Sequence, residues 1–376
     1  MNDLVAAELV GRARELLPLL ENEAVQGEQD RRLTDGAVQA MTDAGLFRLG
    51  TPRRYGGHES GVRTLLDVGA VVGEADGATG WVVTLCNTCS WAVGLFPPET
   101  QDEVFGENPL ARVSGALAPT ANAERVDGGY RVGGKWPYNS GVLHADWSLL
   151  GVLVGDAGEP AMALVPATDY ELEETWFVAG MRGTGSNSVV AKDLFVPDNR
   201  VLRTASVLER VSVFAPLLTV ILAAPQLGMG RAALRLVRDA AAGKGVTGTA
   251  YTRQADSVSF QLRLAEAALK IDTAHLHSYR AADDIDAAIT SGRPLDELAR
   301  ARVHGDTGLA VQSVVDAIGT LLAAHGAGGF ADSHPLQRIW RNANFALSHA
   351  MAQPTVNYEI YGKALLDVRP NITAML

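Results

Sequence analysis

The spacing of apolar residues changes period twice along the chain, and this constrains the fold more than any single motif. Up to about residue 108 apolar positions recur at helical spacing, between 109 and 205 they alternate as in strands, and from 206 onward they return to helical spacing. In the first block, "LTDGAVQAMTDAGLFRLG" makes Thr34 an N-cap, puts Val38 and Met41 on an apolar stripe and leaves Gly45 the left-handed C-terminal position. "ATGWVVTLCNTCSWAVGLFP", residues 78–97, is apolar nearly all round, which predicts a helix that is buried or lines a cavity. In the middle block, strand-like runs flank Asp127-Gly128-Gly129 as a hairpin, and "WSLLGVLV", "AMALVPA" and "VVAKDLFVP" continue a compact antiparallel domain. Four helical stretches follow, at about 212–242, 255–291, 294–324 and 335–366, with short Gly-, Pro- or Ser-containing joints that predict an antiparallel bundle. The chain thus reads as mostly α with a central β domain: an N-terminal helical domain (1–108), a middle β domain (109–205) and a C-terminal four-helix bundle (206–376).

Composition narrows the function classes. With 376 residues, 47% hydrophobic and 20% charged, the chain can bury more than one small core. Its net charge of -11, without a long Lys/Arg run, excludes nucleic acid and anionic membrane as partners. The most apolar stretch, "VFAPLLTVILAAPQLGMG", is interrupted by Pro216 and Pro225 and lacks cationic anchors, so it predicts a core helix and not a membrane span. The N-terminus alternates charges with leucines and does not read as a signal peptide.

Cys86 and Cys89 form a C-x-x-C without a second ligand pair or a βαβ context, which predicts two thiols on a buried helix in a reducing cytoplasm. His275 and His277, two apart on a helix, point to different faces, and His58-Glu59 lacks a second histidine, so no metal site is expected. "HGAGGF" follows a helix, so it is not a dinucleotide fingerprint, and the chain has no other nicotinamide site.

Five stretches in order resemble the acyl-CoA dehydrogenase superfamily: "GLFRLGTPRRYGG" (45–57), "DGGYRVGGKWPYNSG" (127–141), "GMRGTGSNSVVAKDLFVP" (180–197), "SFQLRLAEAALKIDTA" (259–274) and "HGAGGFADSHPLQRIWRNA" (325–343). The resemblance implies that family's fold, in which the middle domain is an antiparallel β-barrel. It also isolates the departures. Where such dehydrogenases carry the carboxylate that removes a substrate proton, counting from Arg341-Asn342 reaches Ala350, beside His349, and Glu359 is only a displaced alternative. The dehydrogenase word Arg-x-x-Phe-Gly is missing from "AAAGKGVTGTAYTRQADS".

The chain instead resembles the two-component flavin monooxygenases built on this fold, whose Trp-x-aromatic-x-Ser-Gly word matches Trp136, Tyr138, Ser140 and Gly141 and whose last-helix histidine matches His349. That branch takes reduced flavin (FADH2 or FMNH2) from a separate NAD(P)H:flavin reductase and, through a C4a-(hydro)peroxyflavin formed with O2, hydroxylates aromatic or polycyclic small molecules or N-oxygenates amines. The resemblance implies Ser140 and His349 as catalytic residues, Ser140 bonding the flavin N5 edge and His349 acting as base or hydrogen-bonding the oxygen to be transferred. It implies flavin contacts by Trp136, Tyr138, Asn139, Thr120 and Asn122 in the loop "APTANA", and Arg182, with Ser186 close by.

It further implies that Gly328 and Gly329 approach the flavin phosphates of a neighbouring subunit in a homodimer or homotetramer. Cys89, where some oxygenase relatives carry a histidine, joins Trp91 and Met351 as the expected substrate pocket. The competing expectations are an acyl-CoA dehydrogenase using Glu359, and a non-catalytic relative without flavin.

Overall fold

The computed structural model describes residues 3–203 and 208–373, with side chains described over 4–203 and 213–373, so the expected boundary at 205–206 lies outside the described residues. Among these residues six α-helices come first: α1 (Asp3–Glu15), α2 (Leu17–Asp30), α3 (Asp35–Asp43), α4 (Val62–Ala75), α5 (Gly77–Val93) and α6 (Pro98–Phe105). Thr34 caps α3 by accepting from Ala37 N–H at 3.1 Å, Val38 and Met41 are buried, and Gly45 takes φ 77°. The all-round apolar stretch is α5, buried along almost its whole length.

Seven strands follow: β1 (Val113–Val126), β2 (Gly129–Trp136), β3 (Trp147–Val154), β4 (Glu159–Pro166), β5 (Glu171–Glu173), β6 (Ser188–Pro197) and β7 (Val201–Arg203). The expected hairpin pairs Val126 with Gly129 across Asp127-Gly128, and Gly128 supplies the left-handed φ of 75°. The sheet order is β5-β6-β2-β1-β3-β4-β7, and β1 pairs with β3 in parallel. The expectation of a wholly antiparallel barrel is therefore corrected: the sheet is mixed, and its edge strands β5 and β7 do not pair among the described residues. The reason is local. The β1–β2 hairpin returns the chain to the end where β1 began, and β3 starts from that end on the other side of β1.

A second correction concerns "APTANA", read as a loop. It lies inside β1, at a bulge where the pairing with β3 jumps from Ala116/Leu150 to Ala121/Val152. The bulged backbone presses onto Gly151, where a Cβ would stand 2.2 Å from the Leu117 carbonyl oxygen.

The C-terminal helices are α7 (Leu208–Val220), α8 (Ala223–Ala240), α9 (Val258–Ser291), α10 (Glu297–His325), α11 (Pro335–Leu347) and α12 (Pro354–Leu365). Two of the four expected helices are thus each broken. Pro225 has no N–H to give the Ile221 carbonyl, which instead receives Ala224 N–H at 3.0 Å, and α7 stops there. Likewise α11 tightens at its end, with His349 N–H on the Ala346 carbonyl at 3.1 Å, and Pro354 opens a new helix.

Val213–Ala240 and Glu297–His325 are long and apolar enough to cross a membrane, but the most apolar window of the first is 100% buried inside the protein, as expected of a core helix. One apolar core joins the N-terminal helices to the C-terminal helices, a second fills the space between α5, α6, α7 and one sheet face, and a third lies on the other face.

Candidate active site

Asp76 starts α5 by accepting from Thr79 N–H at 2.8 Å, and one turn on α5 presents Trp81. The Trp81 indole touches both expected catalytic residues. Its Nε1–H donates to Ser140 Oγ at 3.2 Å, and its ring meets the His349 ring edge-on at 5.5 Å between centroids.

Ser140 lies just past β2 in a turn shaped by Tyr138 (φ 64°) and Gly141 (φ 77°). Gly141 N–H donates to the Thr184 carbonyl at 2.9 Å, tying this turn to the loop before β6. Ser140 Oγ bonds Ser186 Oγ at 2.8 Å, Ser186 Oγ bonds Thr184 Oγ1 at 2.7 Å, and Thr184 Oγ1 donates to the Met181 carbonyl at 2.8 Å. Met181 is held at φ 55°, its N–H given to Asn342 Oδ1 on α11 at 2.7 Å. Arg341 donates to the Ala179 carbonyl at 2.5 Å, so Arg341-Asn342 fastens the whole loop to α11.

His349 was expected on the last helix. The structure puts it in the turn between α11 and α12. Its Nδ1 accepts Met351 N–H at 3.3 Å, which leaves Nε2 to carry the ring proton in the neutral form. The side chain is open to solvent on one side, while desolvation by the surrounding protein pushes its pKa down to about 4. Asn357 braces the turn: its Nδ2 donates to the Met351 carbonyl at 3.0 Å, and its Oδ1 meets Nδ1 of the buried His304 at 3.0 Å.

The other expected residues divide. Cys89, Trp91 and Met351 come together in one apolar cluster, with Trp91 stacked on Phe214 at 5.6 Å. Burial pushes both thiols up, Cys86 to about 12, and both cysteines are free. Tyr138 is 69% exposed, edge-on to Trp176 at 6.0 Å, and Trp176 meets Phe345 at 5.5 Å. Thr120 on the β1 bulge and Asn122 just past it, paired with Leu153, are exposed, and Thr120 Oγ1 donates to the Lys135 carbonyl at 2.9 Å.

Trp136 is corrected from flavin wall to core residue: it is 0% exposed and its indole N–H is spent on the Gly151 carbonyl at 2.7 Å. Asn139 is likewise fully buried, its Nδ2 on Ser148 Oγ at 3.3 Å. Arg182 lines a small polar pocket with Glu28, Asp76 and Arg338 instead of joining Ser140 and Ser186. Gly328 and Gly329 precede α11, so the length of α11, about 20 Å at ~1.5 Å per residue, separates them from His349. Glu359 is exposed on α12 and, two residues on from Asn357, lies on the side of that helix turned away from the His349 turn. His275 faces Arg231 and His277 faces Asp306, two different neighbours as their spacing predicts.

Sequence reasoning missed Trp81, Thr184, Asn342 and Asn357. Asn342 alone left a signal, as the residue standing where dehydrogenases have Asp.

Residues 220–354 match the family model described as acyl-CoA dehydrogenase, C-terminal domain. The flavin-dependent monooxygenase oxygenase subunit HsaA of Rhodococcus jostii is 33% identical, over 92% of this chain and 95% of its own. The oxygenase component of the FADH2-dependent resorcinol hydroxylase of Rhizobium sp. is also 33% identical, over 96% and 95%. Among solved structures, XiaF from Streptomyces sp., in complex with FADH2 and glycerol, superposes with a TM-score of 0.95 at 38% identity, covering 100% of this chain and 98% of XiaF. The chain belongs to the flavin-dependent monooxygenases of the acyl-CoA dehydrogenase fold, as an oxygenase component, and is therefore an oxidoreductase.

Proposed function

We propose that this oxygenase component takes reduced flavin, FADH2 or FMNH2, from a separate NAD(P)H:flavin reductase and hydroxylates an aromatic or polycyclic small molecule, with amine N-oxygenation as a variant of the same transfer. One observation carries the reading: a single indole, Trp81, holds the Ser140 hydroxyl on its N–H and the His349 ring at its edge. A polar contact for a flavin edge and a titratable ring thus share one wall. The residues fit a flavin there, because Ser140 is an enclosed hydroxyl able to accept a ring N–H and Tyr138 offers an exposed aromatic face beside it.

Bound reduced flavin supplies the electrons that activate O2, the co-substrate. Ser140 orients the flavin edge. The apolar group of Cys89, Trp91 and Met351 limits water and receives an aromatic ring. His349 is neutral above about pH 4, and its Nε2–H serves as a hydrogen-bond donor toward substrate oxygen; the tautomer favours this over the role of base.

Leu262, Leu269 and Leu276 stand seven residues apart on α9 and are 67%, 66% and 72% exposed, which supports a homodimer or homotetramer. Free buried thiols suit a cytoplasmic enzyme.

The test supplies photoreduced FAD or FMN, labelled O2 and a panel of phenolic and polycyclic substrates. One labelled oxygen atom in a hydroxylated product is expected. Oxygen reduced only to hydrogen peroxide across the panel would refute the proposal.

A further inference from the structure

The hydroxyl chain behind Trp81 has only one possible direction, and that direction follows from its far end. A carbonyl cannot donate, so the Thr184 hydroxyl hydrogen is committed to the Met181 carbonyl. The 2.7 Å contact between Thr184 and Ser186 must then use the Ser186 hydrogen, and the 2.8 Å contact between Ser186 and Ser140 must use the Ser140 hydrogen. At the near end Trp81 Nε1–H can only donate, and it occupies one Ser140 lone pair. What remains on Ser140 is a single lone pair and no free hydrogen.

Ser140, Ser186, Thr184 and Trp81 are 6%, 2%, 2% and 6% exposed, so water has little access with which to reverse the order. The Met181 end is itself pinned, since the same carbonyl also receives Trp176 Nε1–H at 3.1 Å and Thr184 N–H at 3.1 Å.

We infer that Ser186 and Thr184 are positioning residues that hold Ser140 as an obligate hydrogen-bond acceptor, making the site select a flavin that carries hydrogen on N5. The inference rests on the proposed placement of Ser140 at the flavin edge. Reduced flavin presents N5–H to the free lone pair and completes Ser140. Oxidised flavin presents a bare N5 lone pair to another lone pair, and Ser140 can satisfy it only by withdrawing its hydrogen from Ser186. The reduced cofactor is therefore retained and the oxidised one released. Because the chain ends on a carbonyl, it also gives the N5 proton no onward path through these hydroxyls.

The experiment measures dissociation constants of oxidised FAD and dithionite-reduced FAD, anaerobically, for the full chain and three variants. Wild type binds reduced FAD more tightly. Ser186→Ala frees the Ser140 hydrogen to donate to bare N5, so the ratio of the two constants narrows by about tenfold, equal to a shift of about 30 mV in the bound two-electron couple. Ser186→Thr keeps a hydroxyl and restores the wild-type ratio, which separates positioning from damage to the fold. Ser140→Ala also collapses the ratio if Ser140 meets the flavin. If Ser140→Ala changes the ratio and Ser186→Ala does not, the relay is refuted while the placement stands. If Ser140→Ala leaves the ratio unchanged, the placement itself fails and the inference falls with it.

Discussion

The two sides of Trp81 are built in opposite ways. On the Ser140 side every hydroxyl is buried, each hydrogen is assigned, and the loop is tied through Met181 and Asn342 to a helix of the bundle. On the His349 side the ring sits in a six-residue turn, open to solvent, held through Met351 and braced by Asn357 from the next helix. A site that presents a fixed edge to its cofactor and an adjustable ring to its substrate can keep one oxygen chemistry while changing what it acts on. In the proposed placement the rigid side holds the flavin and the open side sets specificity.

The largest effect expected from breaking this contrast is at His349. His349→Ala removes the Nε2–H donor and should lower product turnover by about 10²- to 10⁴-fold. At pH 8, where the ring is neutral in both the folded and unfolded chain, the same variant should lose only the Met351 N–H bond and the edge contact with Trp81, about 1 kcal/mol of unfolding free energy. Stopped turnover beside chemical denaturation measures both, and a large stability loss would show that the turn is as rigid as the serine side. Ser140→Ala should lower coupled product formation by about 10²-fold while oxygen consumption continues as hydrogen peroxide, measured as the ratio of the two.

Asn357→Ala comes next. It removes the bond to the Met351 carbonyl and leaves the buried His304 Nδ1 without a partner, for a stability loss of about 1–3 kcal/mol. Its effect on catalysis should be smaller than that of His349→Ala, because the histidine remains present but less well placed. Thermal unfolding and steady-state kinetics on the same preparation separate the two.

The contrast also explains what the amino-acid sequence could and could not reveal. Helix and strand blocks were legible because period and capping are local, as Thr34 and Asp127-Gly128 show. The break after Leu347 was not, since the residues from 335 to 366 keep a helical apolar pattern and only Pro354 marks the interruption. Ser140 stood out through the Trp-x-aromatic-x-Ser-Gly word, and His349 because it matches the oxygenase branch's histidine beside Ala350, which stands where the dehydrogenases have a carboxylate. Trp136 was misread for a physical reason: an aromatic in a flavin-associated word and an aromatic in a sheet core look alike until the partner of the indole N–H is known. Trp81 was hidden because, on a helix apolar all round, no periodicity distinguishes the face that meets Ser140.

A weaker but sharper effect lies in the pH dependence. His349, His144 and His275 have folded pKa values lowered to about 4 by desolvation, below the ordinary 6.5. The folded state thus binds fewer protons than the unfolded chain between these values. Their contribution to stability is complete above about pH 6.5 and is lost as pH falls toward 4. Urea midpoints should therefore drop across that window, and His275→Gln should flatten the drop. The rate profile should show no His349 inflection between pH 5 and 8; an acid limb near 6.5 that disappears in His349→Ala would mean the ring stands in water-like surroundings.

The smallest expected effect tests where the active site ends. Glu359 is the carboxylate that a dehydrogenase mechanism would have to recruit, yet it lies exposed on α12, beyond Asn357, which faces α10 and the turn. A base that abstracts a proton from carbon must reach within hydrogen-bond distance of it, and an exposed side chain on the outer face of a helix cannot do so without rotating the helix. Gly305 and Gly308 oppose such rotation, because a Cβ at Gly308 would stand 3.0 Å from Asn357 Cβ and one at Gly305 would stand 2.9 Å from the Tyr361 ring. Glu359→Gln should therefore leave both kcat/KM for hydroxylation and the product-to-peroxide ratio within about twofold of wild type. A larger loss would extend the adjustable side of Trp81 onto α12.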